Sequence, residues 1–443
     1  MADLPRITAA ARRARLVHRH RLAPSVREET AEAVAEALVG LHATDPATVF
    51  LAAAARMRAA TAAAIDRSLY ESLYESRSGS GSPLGSAVGS GSPLGSAVGS
   101  GSGSAASGSP SGAASGSPAL ERIRCMRRTM FVVPAALAPA VQSATAGAAA
   151  GRRHRAEAAA RLRTELGWDE ERYAAVEQEV LAAFAARGRA TAAQLAADVP
   201  ALREQIVVSP GKPYESRQRA STPVLGVLAA EGRIRRTRPA GSWTSAQFHW
   251  APARPLPQLP AAEARTVLAR RYLKAFGPVT LDDLKWWTGW TVTDTRKALA
   301  ATGARAVALD EGTGYLLHED LEQATEPGPG PADAEPAAAL LPGLDPTAMG
   351  WRHRDWYLDP AHTAHLFDRN GNIGPTVWWH GRIIGAWAQR ADGRIVHHLL
   401  TDPGPAARAA VQAETVRLAA FLDGTRVTPC YRTPLERRLA TGR

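Results

Sequence analysis

One order of elements occurs twice in this chain and limits its fold more than any single motif. Between 169 and 252 an apolar stripe of Tyr173, Val176, Val180, Leu181 and Phe184 predicts a helix. A short helix over 190–199 follows Gly188, and a third helix over 215–234 ends at Gly232. Two strand-like runs then flank a Pro-Ala-Gly turn within 233–252. The order returns at 262–318. There a helix is closed by Gly277, a short helix is capped by Thr280, TDTRKALAATG forms a third helix, and a two-stranded hairpin turns at Glu-Gly-Thr-Gly.

Helix, short helix, longer helix, hairpin is the order of a winged helix-turn-helix, and its recurrence suggests a tandem array. The first hairpin carries Arg233, Arg235, Arg236 and Arg238 on one arm, as a wing lying along phosphates would. Winged helices also serve as protein-interaction modules.

The N-terminal part reads as helices over 1–67. Ser25 and Glu28 fit a capping box, and Val34, Leu38 and Leu41 recur at helical spacing. A further helix covers 47–57. Residues 76–118 are Gly/Ser/Ala-rich, and GSGSPLGSAV occurs twice in tandem. Such a tract buries too little apolar surface to offset its ordering entropy, so it reads as a disordered insertion. Order resumes at LERIRCMRRTMFVVP (120–134), basic at first and then strand-like.

After an acidic Pro/Gly linker the pattern changes. Segments from 337 onward alternate like strands around Asn-Gly-Asn, His-Gly and Ala-Asp-Gly turns, and a helix over 407–422 closes them. The expected fold is mainly α with β: three tandem winged helix-turn-helix units and a small C-terminal β-barrel domain. The expected divisions are 1–150 with the insertion, 151–255, 256–320, the linker at 321–336, and a barrel-like 337–443.

The 443 residues carry a formal net charge of +11, which points to a polyanionic partner or to a high-GC genome writing Arg for Lys. Two cysteines, Cys125 and Cys430, form no paired or zinc-like spacing, so a reducing cytoplasm is expected. The basic N-terminus lacks a continuous apolar core, which argues against a signal peptide, and no apolar run is long enough to span a membrane. Scattered histidines offer no metal spacing, and no Gly-rich phosphate loop with its lysine precedes a helix. Neither a metal nor another cofactor is expected.

Three stretches could carry chemistry. In VGLHATDPATVF (39–50), Asp45 and Pro46 are a ready helix start. His42 and Thr44 alternate about Ala43, so an extended backbone would set imidazole and hydroxyl on one face, able to hold a water and take its proton. DRNGNIGP (368–375) sets Arg369 and Asn370 at a tight turn that could reach a groove. GLDPTAMGWRHRDWYL (343–358) gathers Asp345, Arg352, His353, Arg354 and Asp355 around Trp351 and Trp356, as a structural ion pair would. The pairs Trp286/Trp287 and Trp378/Trp379 are either core or stacking platforms.

GLHATDPATVFLAAAARM, MRRTMFVVP, LLPGLDPTAMGWRHRDWYL and LFDRNGNIGPTVWWHGRIIGAWAQR together resemble the bacterial winged helix DNA-binding domain-containing family, whose characterised members are AlkZ-like and YcaQ-like DNA glycosylases. The resemblance covers the chain except 68–118. It implies a cleft over duplex DNA, excision of bulky N7-alkylated purines, unhooking of interstrand crosslinks, and in actinomycetes self-resistance to genotoxic natural products. The family's Gln–apolar–Gln or Gln–apolar–Asp motif falls on His42-Ala43-Thr44, which keeps the apolar centre and changes both polar residues. The resemblance makes His42 and Thr44 the catalytic pair, Arg127, Arg128 and Thr129 phosphate contacts, and Arg369 and Asn370 groove contacts. The expected protein is a monomeric, monofunctional glycosylase acting on double-stranded DNA that carries alkylated purines, with no membrane partner. The alternatives are a non-catalytic DNA-binding regulator and a protein that sequesters a genotoxin. A regulator would normally dimerise to match half-sites, and no separate dimerisation segment is visible.

Overall fold

The computed structural model describes residues 4–71, 119–145, 148–212, 215–322 and 335–442. The low-complexity insertion and most of the acidic linker lie outside them.

Three small antiparallel sheets share one plan. Each is a hairpin whose second strand also pairs with a short strand from earlier in the chain. The first joins Leu41–His42 (β1) to the hairpin Leu120–Arg124 (β2) and Met130–Pro134 (β3), in the order β1-β3-β2. In the second unit, Gln205–Val208 (β5) and Ser216–Arg219 (β6) form a separate hairpin between Ala190–Thr191 (β4) and Ile234–Pro239 (β7). Phe248–Pro252 (β8) completes the order β4-β8-β7. The third joins Val279–Thr280 (β9) to Arg305–Leu309 (β10) and Gly312–Leu316 (β11), in the order β10-β11-β9.

The helices start where polar caps stand. Thr191 and Thr280 each close a capping box, with Gln194 and Asp283 reaching back to the cap's own N–H. The box expected at Ser25 and Glu28 does not form. Ser25 lies in a 3₁₀ turn behind Pro24, its N–H and hydroxyl donate to Glu335, and Glu28 pairs with Arg21. Thr30 instead caps the helix Ala31–Ala37, and Leu41 falls on a strand beyond it. The single helix expected over 215–234 is also corrected: strand β6 comes first, and the helix runs only from Ser221 to Ala230. Exposed Arg217 and Arg219 favour the hairpin, because a helix there would have no apolar face to bury at its start.

The wing arginines have partners within the protein, although Arg233 and Arg238 stay partly exposed. Strand β7 packs against β2 and the helix Ala62–Tyr70. Arg235 pairs with Glu121 at 2.6 Å and Arg238 with Asp66 at 2.7 Å. Arg233 lies 3.5 Å from Glu177, and Arg236 stacks on Phe248 and Trp250. Arg235 and Arg238 join the second unit to the first, and Arg235 and Arg236 are too buried to lie along phosphates as the wing was expected to.

The C-terminal part is an open sheet, not a barrel. Ala338–Leu341 (β12), Thr376–Trp379 (β13), Arg382–Gln389 (β14) and Ile395–Leu399 (β15) pair in that order, and β15 does not return to β12. Four strands are too few to close around a side-chain core. Two cores cover the faces instead. Ala338 and Leu340 pack with Val411, Leu418 and Leu422 of the helix Pro405–Leu422, while Ala339 and Leu341 pack into the large central core. Much of the segment 342–362, expected as strand, is loop and short helix.

That central core ties the parts together. It runs from Leu16 and Val17 through Phe131 and Val133, the helix Ala261–Phe276 and the helix Leu281–Thr288 to Trp351 and Trp378. Trp287 and Trp378 belong to it, which settles those two tryptophans as core. The second unit keeps a core of its own, from Leu162 to Trp250. Its wing tip reaches outward, with Trp243 stacked on Phe50 at 4.9 Å.

Candidate active site

The site begins where strand β1 is pressed onto β3. A Cβ on Gly40 would lie 2.8 Å from the Val132 carbonyl and the Val133 side chain, so only glycine allows this approach. Val39, just before it, has φ 64°, a strained conformation for a β-branched residue. Beyond the pair, Leu41 faces Val132 and His42 faces Phe131. The Ala43 N–H donates to the Met130 carbonyl at 2.8 Å, and Arg122 donates to the Ala43 carbonyl at 3.1 Å.

Both polar groups of the motif are buried without a partner in the chain. His42 is 4% exposed and its ring meets Phe131 edge-on at 5.1 Å. Its Nδ1 has no hydrogen-bond partner, and neither has the Thr44 Oγ1. Such orphans are rare in folded proteins, and here two stand two residues apart, one at the end of β1 and one in the bend just beyond it. Burial, and then the charge of Arg127, lowers the His42 pKa to about 3. The imidazole is therefore neutral at physiological pH. Asp45 does what its position before Pro46 predicts: it caps the helix Pro46–Ala54 through the Ala47 N–H at 3.1 Å. Its second oxygen accepts from the Cys430 N–H at 2.9 Å, a contact no sequence pattern announced.

The turn joining β2 to β3 supplies the next residues. Arg127 and Arg128 both adopt left-handed backbone, φ 51° and 63°. Arg127 stacks over Trp286 at 3.9 Å, and its Nε is buried without a partner. Burial, followed by the nearby charge of Arg354, lowers its pKa to about 10. Arg128 is exposed and bridges to Glu157 at 2.8 Å. The Thr129 hydroxyl donates to the Met126 carbonyl at 2.8 Å and so holds the turn.

Arg354 enters from the C-terminal part. The sequence suggested an ion pair among Asp345 and its neighbouring arginines. The structure corrects this: Asp345 is fully buried against Arg56, and Arg354 lies over Trp286 at 5.0 Å and over Phe367 at 5.4 Å. Trp286 is half-buried, unlike Trp287.

Phe367 opens the 368–372 turn. The Asp368 carboxylate accepts from the Asn370 and Asn372 N–H groups and from the Asn372 amide, all within 2.9 Å, and Gly371 supplies φ 81°. Burial alone would raise the Asp368 pKa, but these bonds and the Arg369 charge hold it below the usual range. Arg369 and Asn370 stand on the rim of a cleft of about 590 Å³, whose other wall includes Cys430, Tyr431 and Arg437. Through Cys430 and Asp45 that cleft adjoins the His42 strand. Of the residues the sequence singled out, His42 stands close enough to Arg127 to feel its charge, Thr44 follows His42 just past the end of β1, and Arg369 and Asn370 stand on the rim of the cleft. The partnership of Trp286 with Arg127 and Arg354, and the place of Tyr431 on the cleft, were not expected. The crowding of arginine and tryptophan in WRHRDW was the available signal for Arg354.

Among the described residues no group of three or more His, Cys, Asp or Glu side chains could hold a metal ion, and no helix is long and apolar enough to cross a membrane.

The sequence model of a family described as DNA glycosylase AlkZ-like matches residues 114–421, well over half of the chain. The chain belongs to the AlkZ-like DNA glycosylase family. The function that goes with the family is base removal in DNA repair, with DNA as substrate. Among solved structures, the DNA glycosylase AlkZ of Streptomyces sahachiroi is similar at 17% sequence identity with a TM-score of 0.62, over 95% of this chain and 98% of that one. At that identity the likeness shows a shared fold. No curated protein matches the chain.

Proposed function

We propose that this family member is a monofunctional glycosylase that hydrolyses the N-glycosidic bond of bulky N7-alkylated purines in duplex DNA, crosslinked purines among them, in repair or self-resistance. The observation that carries the reading is the pair of buried, unpartnered polar groups, His42 Nδ1 and Thr44 Oγ1, which we align with the family's motif from the sequence resemblance. We read the three repeated sheets, with their helices, as three winged helices around the DNA.

An N7-alkylated purine is cationic, so the C1′–N9 bond breaks with its electron pair neutralising the departing base, and no acid is required. What remains to be supplied is an oriented water for the oxocarbenium-like sugar. A neutral imidazole accepts a hydrogen bond from that water, and the Thr44 hydroxyl gives a second point of attachment. With its pKa near 3, His42 aligns the water and passes the proton on to solvent as the C1′–O bond forms, without storing it. The roughly 590 Å³ cleft is large enough for a substituent the size of a small molecule.

The test is base release from duplexes carrying N7-methylguanine or bulky N7-guanine adducts, with abasic sites revealed by alkali. Release of bulky adducts that is lost in His42→Ala is the expected result. Tight DNA binding without release of any adduct would overturn the reading in favour of a non-catalytic DNA-binding protein.

A further inference from the structure

Arginines buried in this protein commonly find a carboxylate. Arg12 meets Glu311, Arg27 meets Glu414, Arg56 meets Asp345 and Arg235 meets Glu121. Arg127 and Arg354 do not. Among the described residues neither forms a salt bridge, although both guanidiniums lie over the same indole of Trp286, at 3.9 and 5.0 Å. Among the described residues Arg127 makes no side-chain hydrogen bond, and Arg354 reaches only the Ala348 carbonyl, at 3.4 Å, and the Tyr357 hydroxyl, both neutral. Cation–π stacking offsets part of the cost of setting two like charges together, but it leaves most of their N–H donors unused.

The scaffold holds this arrangement against its own cost. Arg127 is carried on two consecutive left-handed residues, a conformation that L side chains avoid and that persists where the surroundings enforce it. The loop bearing Arg354 is fixed from below by Asp283, which is fully buried. One Asp283 oxygen accepts from the N–H groups of Arg352 and His353 at 2.8 and 3.0 Å, and the other holds the Thr280 cap. Two strained or clamped segments from distant parts of the chain thus converge on Trp286 with guanidiniums that meet no carboxylate, and the His42 ring feels the charge of one of them, Arg127.

The geometry points to a seat for one phosphodiester of the DNA backbone, gripped by Arg127 and Arg354 together across Trp286, next to the nucleotide being cleaved. A planar guanidinium matches a phosphate bidentately, and two of them match its single charge with donors on both sides. The seat also answers an electrostatic problem of the reaction: two bare cations would oppose a developing oxocarbenium, and a bound phosphate cancels one of them. Arg354 is then a DNA-binding residue of the same site. The inference rests on the DNA glycosylase reading for its ligand, but not on any particular lesion.

The experiment replaces single phosphates in an undamaged duplex with neutral methylphosphonates, one position at a time, and measures binding by wild type and Arg354→Met. In wild type, one position is expected to weaken binding about tenfold, as loss of a charge-assisted contact does. In Arg354→Met that position should cost clearly less, because only Arg127 still holds the phosphate, and the slope of log affinity against log salt should fall by up to about 0.9. Arg354→Lys, which restores the charge without the fork, should recover the slope but only part of the affinity. Melting temperatures matching wild type confirm that the variants fold. Equal methylphosphonate costs in wild type and Arg354→Met at every position, with an unchanged salt slope, would show the pair to be structural and sink the proposal. Because undamaged DNA is the probe, a failure to excise any adduct would overturn the substrate reading and leave this result standing.

Discussion

The Arg56 guanidinium and the Asp345 carboxylate, 289 positions apart, form a two-pronged ion pair at 2.7 and 2.9 Å with no solvent access to either side chain. Arg56 spends its remaining donors on the His20 and Ala52 carbonyls and the Thr347 hydroxyl. The pair fixes the end of the helix that follows the motif, Pro46–Ala54, against the LLPGLDP loop, and the Thr48 hydroxyl adds a bond to the Gly343 carbonyl at 3.0 Å. Removing one partner leaves a buried charge alone. Asp345→Ala is therefore expected to cost about 3–5 kcal/mol, read as a fall in the urea midpoint. A change below about 1 kcal/mol would mean that water reaches Arg56 in solution.

His42→Ala and Thr44→Ala each separate chemistry from binding. His42→Ala should slow single-turnover base release by about 10²-fold, the lower range for a positioned proton acceptor, and Thr44→Ala by less. Affinity for an abasic-site duplex should stay within about threefold in both, since neither side chain is asked to hold a phosphate. Unchanged release in both variants would remove these residues from the site.

The buried histidines set an acid limit on stability. His42 has a folded pKa of about 3 against roughly 6.5 when unfolded, and burial likewise holds fully buried His20 well below its ordinary value. As pH falls below 6.5 the unfolded chain takes protons that the folded chain refuses, so stability is complete above 6.5 and drains away towards pH 3. For His42 alone the loss between pH 6.5 and 5 is about 2 kcal/mol. His42→Gln should lose correspondingly less between pH 7 and 5 in urea titrations. A parallel loss in the variant would place the protonation elsewhere.

The same depressed pKa shapes catalysis. An exposed histidine would change charge near pH 6.5, whereas His42 stays neutral down to about 3. Single-turnover excision should accordingly be level between pH 8 and 6. A rate that halves near 6.5 would mean that the imidazole titrates in the complex and takes up the proton itself.

Arg128 carries strain without burial. Its φ of 63° suits glycine, and its bridge to Glu157 lies in solvent. Arg128→Gly should therefore leave the melting temperature unchanged or raised. If Arg128 also touches the backbone, as the family resemblance implies, the same variant should bind DNA more weakly at low salt. A lowered melting temperature would show that the bridge matters more than the strain.

What the sequence determined by itself was local. Apolar spacing placed the stripe of Tyr173, Val176, Val180 and Phe184, and Asp45 and Thr280 capped the helices they precede, because these choices depend on residues three or four positions apart. The repeated helix-and-hairpin order was legible for the same reason. Tertiary structure alone decided which charges meet. Arg235 found Glu121 of another unit, and Asp345 found Arg56 rather than the arginines nine residues or fewer beyond it. The four C-terminal strands stayed open because two apolar cores covered both their faces. Arg127 and Arg354 came to share one indole across more than two hundred residues. Ion pairing and burial depend on distance in space, which chain order does not encode, so the parts of the site could be named one by one before they could be joined.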